Sequence, residues 1–198
     1  MKQLKITLVL LAAFVLLISG PASASPVQDQ LKASIDQILN VLKDPQYKGE
    51  DKTQERRETL RAIIYERFSF KKMAQLSLGK EWKKRTAEEK EQFSNLFSQL
   101  LEETYVTKIE AYTNEKVVFT KEMIKKKKAQ VNTKIITESV EIPIDYRLYQ
   151  AKDGSWMVYD MVIEGVSLVG NYRSQFSQIL QKDTFDDLVK ELEKKLAS

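Results

Sequence analysis

The stretch Ile142–Leu180, IPIDYRLYQAKDGSWMVYDMVIEGVSLVGNYRSQFSQIL, decides the fold, because the spacing of its apolar residues changes partway along. Ile142, Ile144, Tyr146 and Leu148 alternate with Asp145 and Arg147, the period-two pattern of a strand with one buried and one wet face. Lys152-Asp153-Gly154-Ser155 then supplies a hairpin turn, since Asp-Gly tolerates the positive φ angles of tight hairpins. A second strand follows over Ser155–Ile163. Beyond Gly165 the period lengthens: Leu168, Val169, Tyr172, Phe176, Ile179 and Leu180 recur at helical spacing, with Ser167 placed to cap the helix. The polar cluster Asn171-Tyr172-Arg173-Ser174 sits at the start of that helix. Tyr172 and Phe176, at i and i+4, fall on its buried side.

Two more strands are expected upstream, near Lys116–Met123 and Lys127–Thr137. Short loops between successive strands imply an antiparallel meander. Before the sheet the chain is helical. Leu31, Ile35, Ile38, Leu39 and Leu42 form one stripe, ended by Pro45. Leu60, Ile63, Ile64 and Phe68 form a second, over Thr53–Phe68. A short helix covers FKKMAQLSLG and stops at Gly79. Thr86-Ala87-Glu88-Glu89 reads as a capping box, opening a helix with Phe93, Leu96, Phe97, Leu100, Leu101 and Tyr105 on one face, to about Tyr112. Phe185, Leu188, Val189, Leu192 and Leu196 mark a last helix. The class is α+β: a helical N-terminal half, a curved antiparallel sheet of about four strands, and C-terminal helices packed on one sheet face.

The N-terminus has the form of a secretory signal. Lys2 and Lys5 precede an apolar run from Ile6 to Ile18, and Ala22-Ser23-Ala24 has the small residues of a cleavage site. The run is too short to span a bilayer, which takes about 20 apolar residues. Residues 1–24 are therefore expected to be removed, leaving 25–198 as one domain, exported to the periplasm. Loss of Lys2 and Lys5 lowers the formal charge from +4 to +2, a nearly neutral balance that makes no case for nucleic-acid binding. With no cysteine there is no disulfide framework, so the domain folds by burial alone.

The same composition excludes much chemistry. The chain has no His and no Cys, which removes Ser-His-Asp triads, thiol nucleophiles and the usual zinc sites. Gly165 and Gly170 lack the Lys-Ser/Thr ending of a phosphate loop. Asp145, Asp160 and Glu164 leave room for a carboxylate base. The simpler reading puts Asp145 on the wet face and pairs Asp160 with an Arg or Tyr. No catalytic residue, metal or cofactor is expected. The run Lys125-Lys126-Lys127-Lys128 lies at the turn between the first two strands. It has two readings: a solvated hairpin tip, or a contact with anionic lipid headgroups or an acidic partner surface.

Two segments carry a family resemblance. The first is FSFKKMAQLSLGKEWKKRTAEEKEQFSNLFSQLLEETY, with the pattern F-x-x-M-A-x-x-x-L-G-x-x-W over Phe70–Trp82. The second is the opening stretch, most specifically VYDMVIEGVSLVGNYRSQF. Together they resemble the MlaC family, the toluene-tolerance auxiliary proteins, over about Leu31–Leu196. The resemblance implies a periplasmic carrier holding a glycerophospholipid, its tails in an apolar cavity between sheet and helices. It implies shuttling between an outer-membrane lipoprotein complex and an inner-membrane ABC transporter with an MCE-domain subunit, maintaining outer-membrane lipid asymmetry. The bound phospholipid is cargo, and hopanoid-related lipids are a variant of it.

On that reading the candidate lining is Ile142, Ile144, Tyr146 and Leu148 on one strand face. Phe93, Phe97, Leu100, Leu101 and Tyr105 come from the long helix, and Leu168, Val169, Tyr172 and Phe176 from the one after the sheet. Asn171 and Arg173 are candidates for the cavity rim. Two alternatives stand beside the carrier. One is a non-catalytic adaptor whose apolar face meets another subunit. The other is an enzyme on a similar cone-shaped α+β fold, acting on a small hydrophobic substrate.

Overall fold

The structure is a computed structural model that describes residues 26–112 and 115–197. The expected signal segment lies outside the described residues. Among those described, no helix is long and apolar enough to cross a membrane.

Four helices precede the sheet: α1 (Pro26–Lys43), α2 (Thr53–Arg67), α3 (Phe70–Leu78) and α4 (Ala87–Glu110). Their ends follow local chemistry. Thr86 accepts a hydrogen bond from the Glu89 amide, and the Glu89 carboxylate accepts one from the Thr86 amide, so the capping box forms as its residues dictate. Between α2 and α3 the chain straightens at Phe68, and the Ser69 amide donates to the Val158 carbonyl at 2.8 Å, tying the break to the sheet. Gly79 ends α3 at φ 58° and ψ −118°, a conformation that suits glycine because it has no Cβ.

The sheet runs in the order β1 (Lys116–Lys125), β2 (Lys128–Ile136), β3 (Glu141–Gln150), β4 (Trp156–Ile163), β5 (Val166–Ser167), antiparallel throughout. It is an open, curved sheet, as the alternation predicts, with one strand more than expected. The fifth is only two residues long and follows directly from a tight turn. Glu164 and Gly165 both take positive φ there, 49° and 82°, as two-residue hairpin turns require.

Directly opposed residues share a face, so the register shows which side chains meet. Ile144 faces Ile163, Tyr146 faces Met161, and Leu148 faces Val158. Tyr159 is left without a partner in a β-bulge, which resets the alternation. Val158 lies with the inward-facing set, whereas Asp160 shares the opposite face with Arg147. Helices α5 (Leu168–Ile179) and α6 (Phe185–Leu196) complete the chain, with α5 packed against α3 and β4, and α6 against α4.

Candidate functional site

Burial divides the apolar side chains into two clusters. The larger joins the helices: Met73, Ala74, Leu78 and Trp82 meet Phe93, Phe97, Leu100 and Leu101, the buried side of α5, and α6. Its centre is aromatic. Phe97 meets Tyr172 edge-on at 5.2 Å and Phe176 at 5.7 Å, and Phe93 meets Phe176 at 5.5 Å, within the range where ring edges and faces attract. The second cluster lies on the sheet. Ala129, Val131, Ile144, Tyr146, Leu148, Trp156 and Val158 are covered by Val27 and Leu31 of α1.

The expected lining residues divide between these two. Phe93, Phe97, Leu100, Leu101, Leu168, Val169, Tyr172 and Phe176 are buried in the helical cluster, with Tyr105 half-buried against it. Ile144, Tyr146 and Leu148 are buried in the sheet cluster, and Ile142 is half-buried beside it. Three half-buried residues pack against both: Phe68, Met161 and Ile163. They form the seam between the layers. Phe68 is visible in the sequence as the end of the α2 stripe, but the place of Met161 and Ile163 depends on the bulge at Tyr159.

Three phenols accompany the two clusters, Tyr146 in the sheet layer and Tyr105 and Tyr172 in the helical one. Burial pushes the Tyr146 hydroxyl up to about 12, so it stays neutral at physiological pH. Burial also raises Tyr105, with a smaller push from the phenol of Tyr172. Tyr146 and Tyr172 are 8% and 6% exposed, and neither hydroxyl bonds to a described residue. Among the described residues, the fully enclosed side-chain atoms without a partner are Arg85 Nε and Asn132 Oδ1.

The other polar candidates are held in structural bonds. Asp160 is 3% exposed. One oxygen accepts from Arg147 Nη1 at 2.9 Å and Ser167 Oγ at 2.7 Å, and the other accepts from the Val169 amide at 3.0 Å. Ser167 in turn accepts from the Gly170 amide at 2.9 Å, capping α5. A carboxylate at a helix N-terminus also complements the helix dipole. Asp145 accepts from Asn132 at 2.6 Å and Gln130 at 3.3 Å. Arg173 is exposed, yet its guanidinium lies against Gly79 at the C-terminus of α3, where a Cβ on that glycine would come within 2.9 Å of Nε. Asn171 is exposed on the same helix.

One surface depression of about 360 Å³ falls outside all expectation. It is lined by Leu42, Tyr47, Lys48, Gly49, Glu50, Thr53, Arg56 and Glu110. Two of its charges are paired: Arg56 Nε donates to Glu110 at 2.9 Å, and Arg56 Nη1 donates to the Tyr47 carbonyl at 2.8 Å. Among the described residues, no cluster of three or more acidic side chains could hold a metal ion.

The arrangement is two apolar layers meeting along a half-buried seam, and known proteins share the overall fold. A solved structure from Ralstonia solanacearum, a phospholipid-binding protein in complex with a phospholipid, superposes with a TM-score of 0.79. The identity is 26%, and the match covers 87% of this chain and 98% of that one. The intermembrane phospholipid transport system binding protein MlaC of Haemophilus influenzae is 31% identical over 123 residues, 59% of this chain. The match spans 56% of that relative's length. A family profile described as MlaC protein matches residues 32–194. The chain belongs to the MlaC family.

Proposed function

We propose that the protein is a soluble periplasmic phospholipid carrier, without catalytic activity of its own, that holds its cargo along the seam between the helical and sheet layers. The observation that carries the reading is the likeness, over nearly the whole of the other chain, to a protein solved with a phospholipid bound. The physical requirement agrees. Each methylene taken from water is worth about 0.8 kcal/mol, so a dozen in one acyl tail cost roughly 10 kcal/mol to expose. A carrier must offer that much apolar surface without dissolving its own core. Two separately buried clusters allow this, because parting them along Phe68, Met161 and Ile163 leaves Phe93, Phe97 and Leu148 covered. The remaining candidates, Tyr105, Ile142, Ile144, Tyr146, Leu168, Val169 and Tyr172, border the tails, with Asn171 and Arg173 toward the rim. Asp160 has its oxygens occupied by three donors, which supports a structural role for it over an acid-base one.

In this reading the cargo passes between an outer-membrane lipoprotein complex and an inner-membrane ABC transporter with an MCE-domain subunit, and so maintains outer-membrane lipid asymmetry. Residues 1–24 direct export. The test is to purify the protein from periplasm, extract it with organic solvent and identify the lipid by mass spectrometry. Glycerophospholipid in near-stoichiometric amount is expected, with reloading from liposomes after delipidation. No co-purifying phospholipid and no uptake would sink the proposal.

A further inference from the structure

We propose that the tip of the β1–β2 hairpin is a docking foot for anionic membrane surfaces. In it, Lys125, Lys126, Lys127 and Lys128 supply the charge, and Met123 and Ile124 the apolar contact. All four lysines are exposed, and none forms a salt bridge with a described residue. Beside them Met123 and Ile124 are 44% and 48% exposed, two of the few large apolar side chains left in water. The Gln150 amide donates to the Lys127 carbonyl at 3.0 Å, which brings the next turn, with exposed Lys152, against the same tip. The result is a compact basic patch with an apolar pair at its edge on a molecule whose overall charge is nearly neutral.

Local rules are broken at this place without a local gain. Four adjacent like charges repel one another. Lys126 also takes φ 56°, in the left-handed region where glycine or asparagine costs less than a long side chain. Such conflicts concentrate where a surface serves something other than folding. The residue type points to the partner. Arginines elsewhere enter directed bonds, as in Arg61 with Glu102 and Arg147 with Asp160. The tip uses lysine alone, a compact rotating charge that suits a fluid sheet of headgroups better than fixed carboxylates on a protein.

The foot is separate from the seam. Along β3, Tyr149, paired with Lys128, is three residues from Tyr146, paired with Met161, and five from Ile144, paired with Ile163, about 10 and 17 Å of strand. Docking therefore concentrates the protein at a membrane surface while leaving the seam free, and does not depend on the carrier reading.

The experiment is vesicle sedimentation of the full mature chain, using phosphatidylcholine vesicles with and without a minority of phosphatidylglycerol, at low and high salt. Binding is expected only with phosphatidylglycerol, and should fall as salt rises. Each lysine near an anionic surface strengthens association about fivefold. Replacing Lys125–Lys128 with glutamine should therefore weaken it about a hundredfold or more, with unfolding midpoint and bound lipid unchanged. A double Met123→Ser, Ile124→Ser variant should lose the salt-resistant remainder, and if it keeps that remainder the apolar part of the foot is refuted. Equal binding to neutral vesicles, or full binding by the glutamine variant, would overturn the proposal. So would binding by the tip to an acidic protein surface but to no vesicle. Sedimentation reads association whether or not lipid is carried, so failure here and failure of the carrier reading are distinguishable.

Discussion

Asp160 is the residue on which the junction of β3, β4, β5 and α5 converges. Its carboxylate is buried, and three donors from three elements share it. Asp160→Ala leaves Arg147 and the Val169 amide without their acceptor, and urea unfolding should show a loss of about 3 kcal/mol or more. Arg147→Ala should cost clearly less. Its side chain is 41% exposed, and Asp160 keeps two donors and the helix N-terminus. A larger loss from the arginine would refute that ranking. Gly79 makes the second residue-scale case. Its backbone suits glycine, and a Cβ would press on Arg173, so Gly79→Ala should destabilise by about 1–3 kcal/mol in the same measurement. At this scale the sequence was informative wherever a signal is local. The Thr86-Glu89 box and the Ser167 cap are read from residues a few positions apart. That Asp160 needs a cationic or phenolic partner follows from its place in a buried strand. That Arg173 lies over the end of α3 does not, because nothing near Arg173 in the chain encodes Gly79.

Between elements, the firmest polar join is that of α2 to α4. Arg56 and Arg57 both donate to Glu110, and Arg61 to Glu102. Burial alone would raise the Glu110 carboxyl, but the hydrogen bonds from Arg57 and Arg56 outweigh it and hold the group below the ordinary glutamate range. A carboxyl lowered on folding adds stability that is present above its unfolded pKa and is lost as pH falls through the folded one. Unfolding free energy should therefore decline on the acid side of the glutamate range, and Glu110→Gln should make that decline shallower. An unchanged acid limb would show that the join contributes nothing. This clasp links positions 41 to 54 apart in the chain, so no pattern of spacing announces it. The strands were legible because β3 alternates cleanly. The bulge in β4 was not, since its residues alternate in burial on both sides of Tyr159 while the face they present changes. Two-residue β5 is too short to produce any period.

For the whole molecule, the α+β class and the buried faces of α4, α5, α6 and β3 follow from periodicity, whereas in α1 only Leu31 of the expected stripe is fully buried, beside Val27, Ser34 and Val41, and the division into two cores is not encoded in any period. A filled interior and a parted one draw on the same leucines and phenylalanines, and the side chains that decide between them are the half-buried ones at the seam. Leu148 is fully buried, so a charge there would test folding more than binding. Met161→Trp is the sharper probe. If the seam holds a guest, the larger ring fills that space, leaves stability unchanged or raised, and lowers the phospholipid recovered by extraction. If the seam is already close-packed, overpacking should cost about 1–3 kcal/mol and leave cargo untouched. The two-core plan has a mechanical consequence. Because Phe68, Met161 and Ile163 are, among the described residues, the apolar side chains packed against both clusters, the layers can part along that line while the Asp160 junction and the bond from the Ser69 amide to Val158 act as the hinge. Hydrogen exchange should then show amides around the joint opening at low free energy while Val131 and Phe97 stay protected to the global limit. On the carrier reading, cargo turnover is then set by how often that joint breathes, not by the stability of either core.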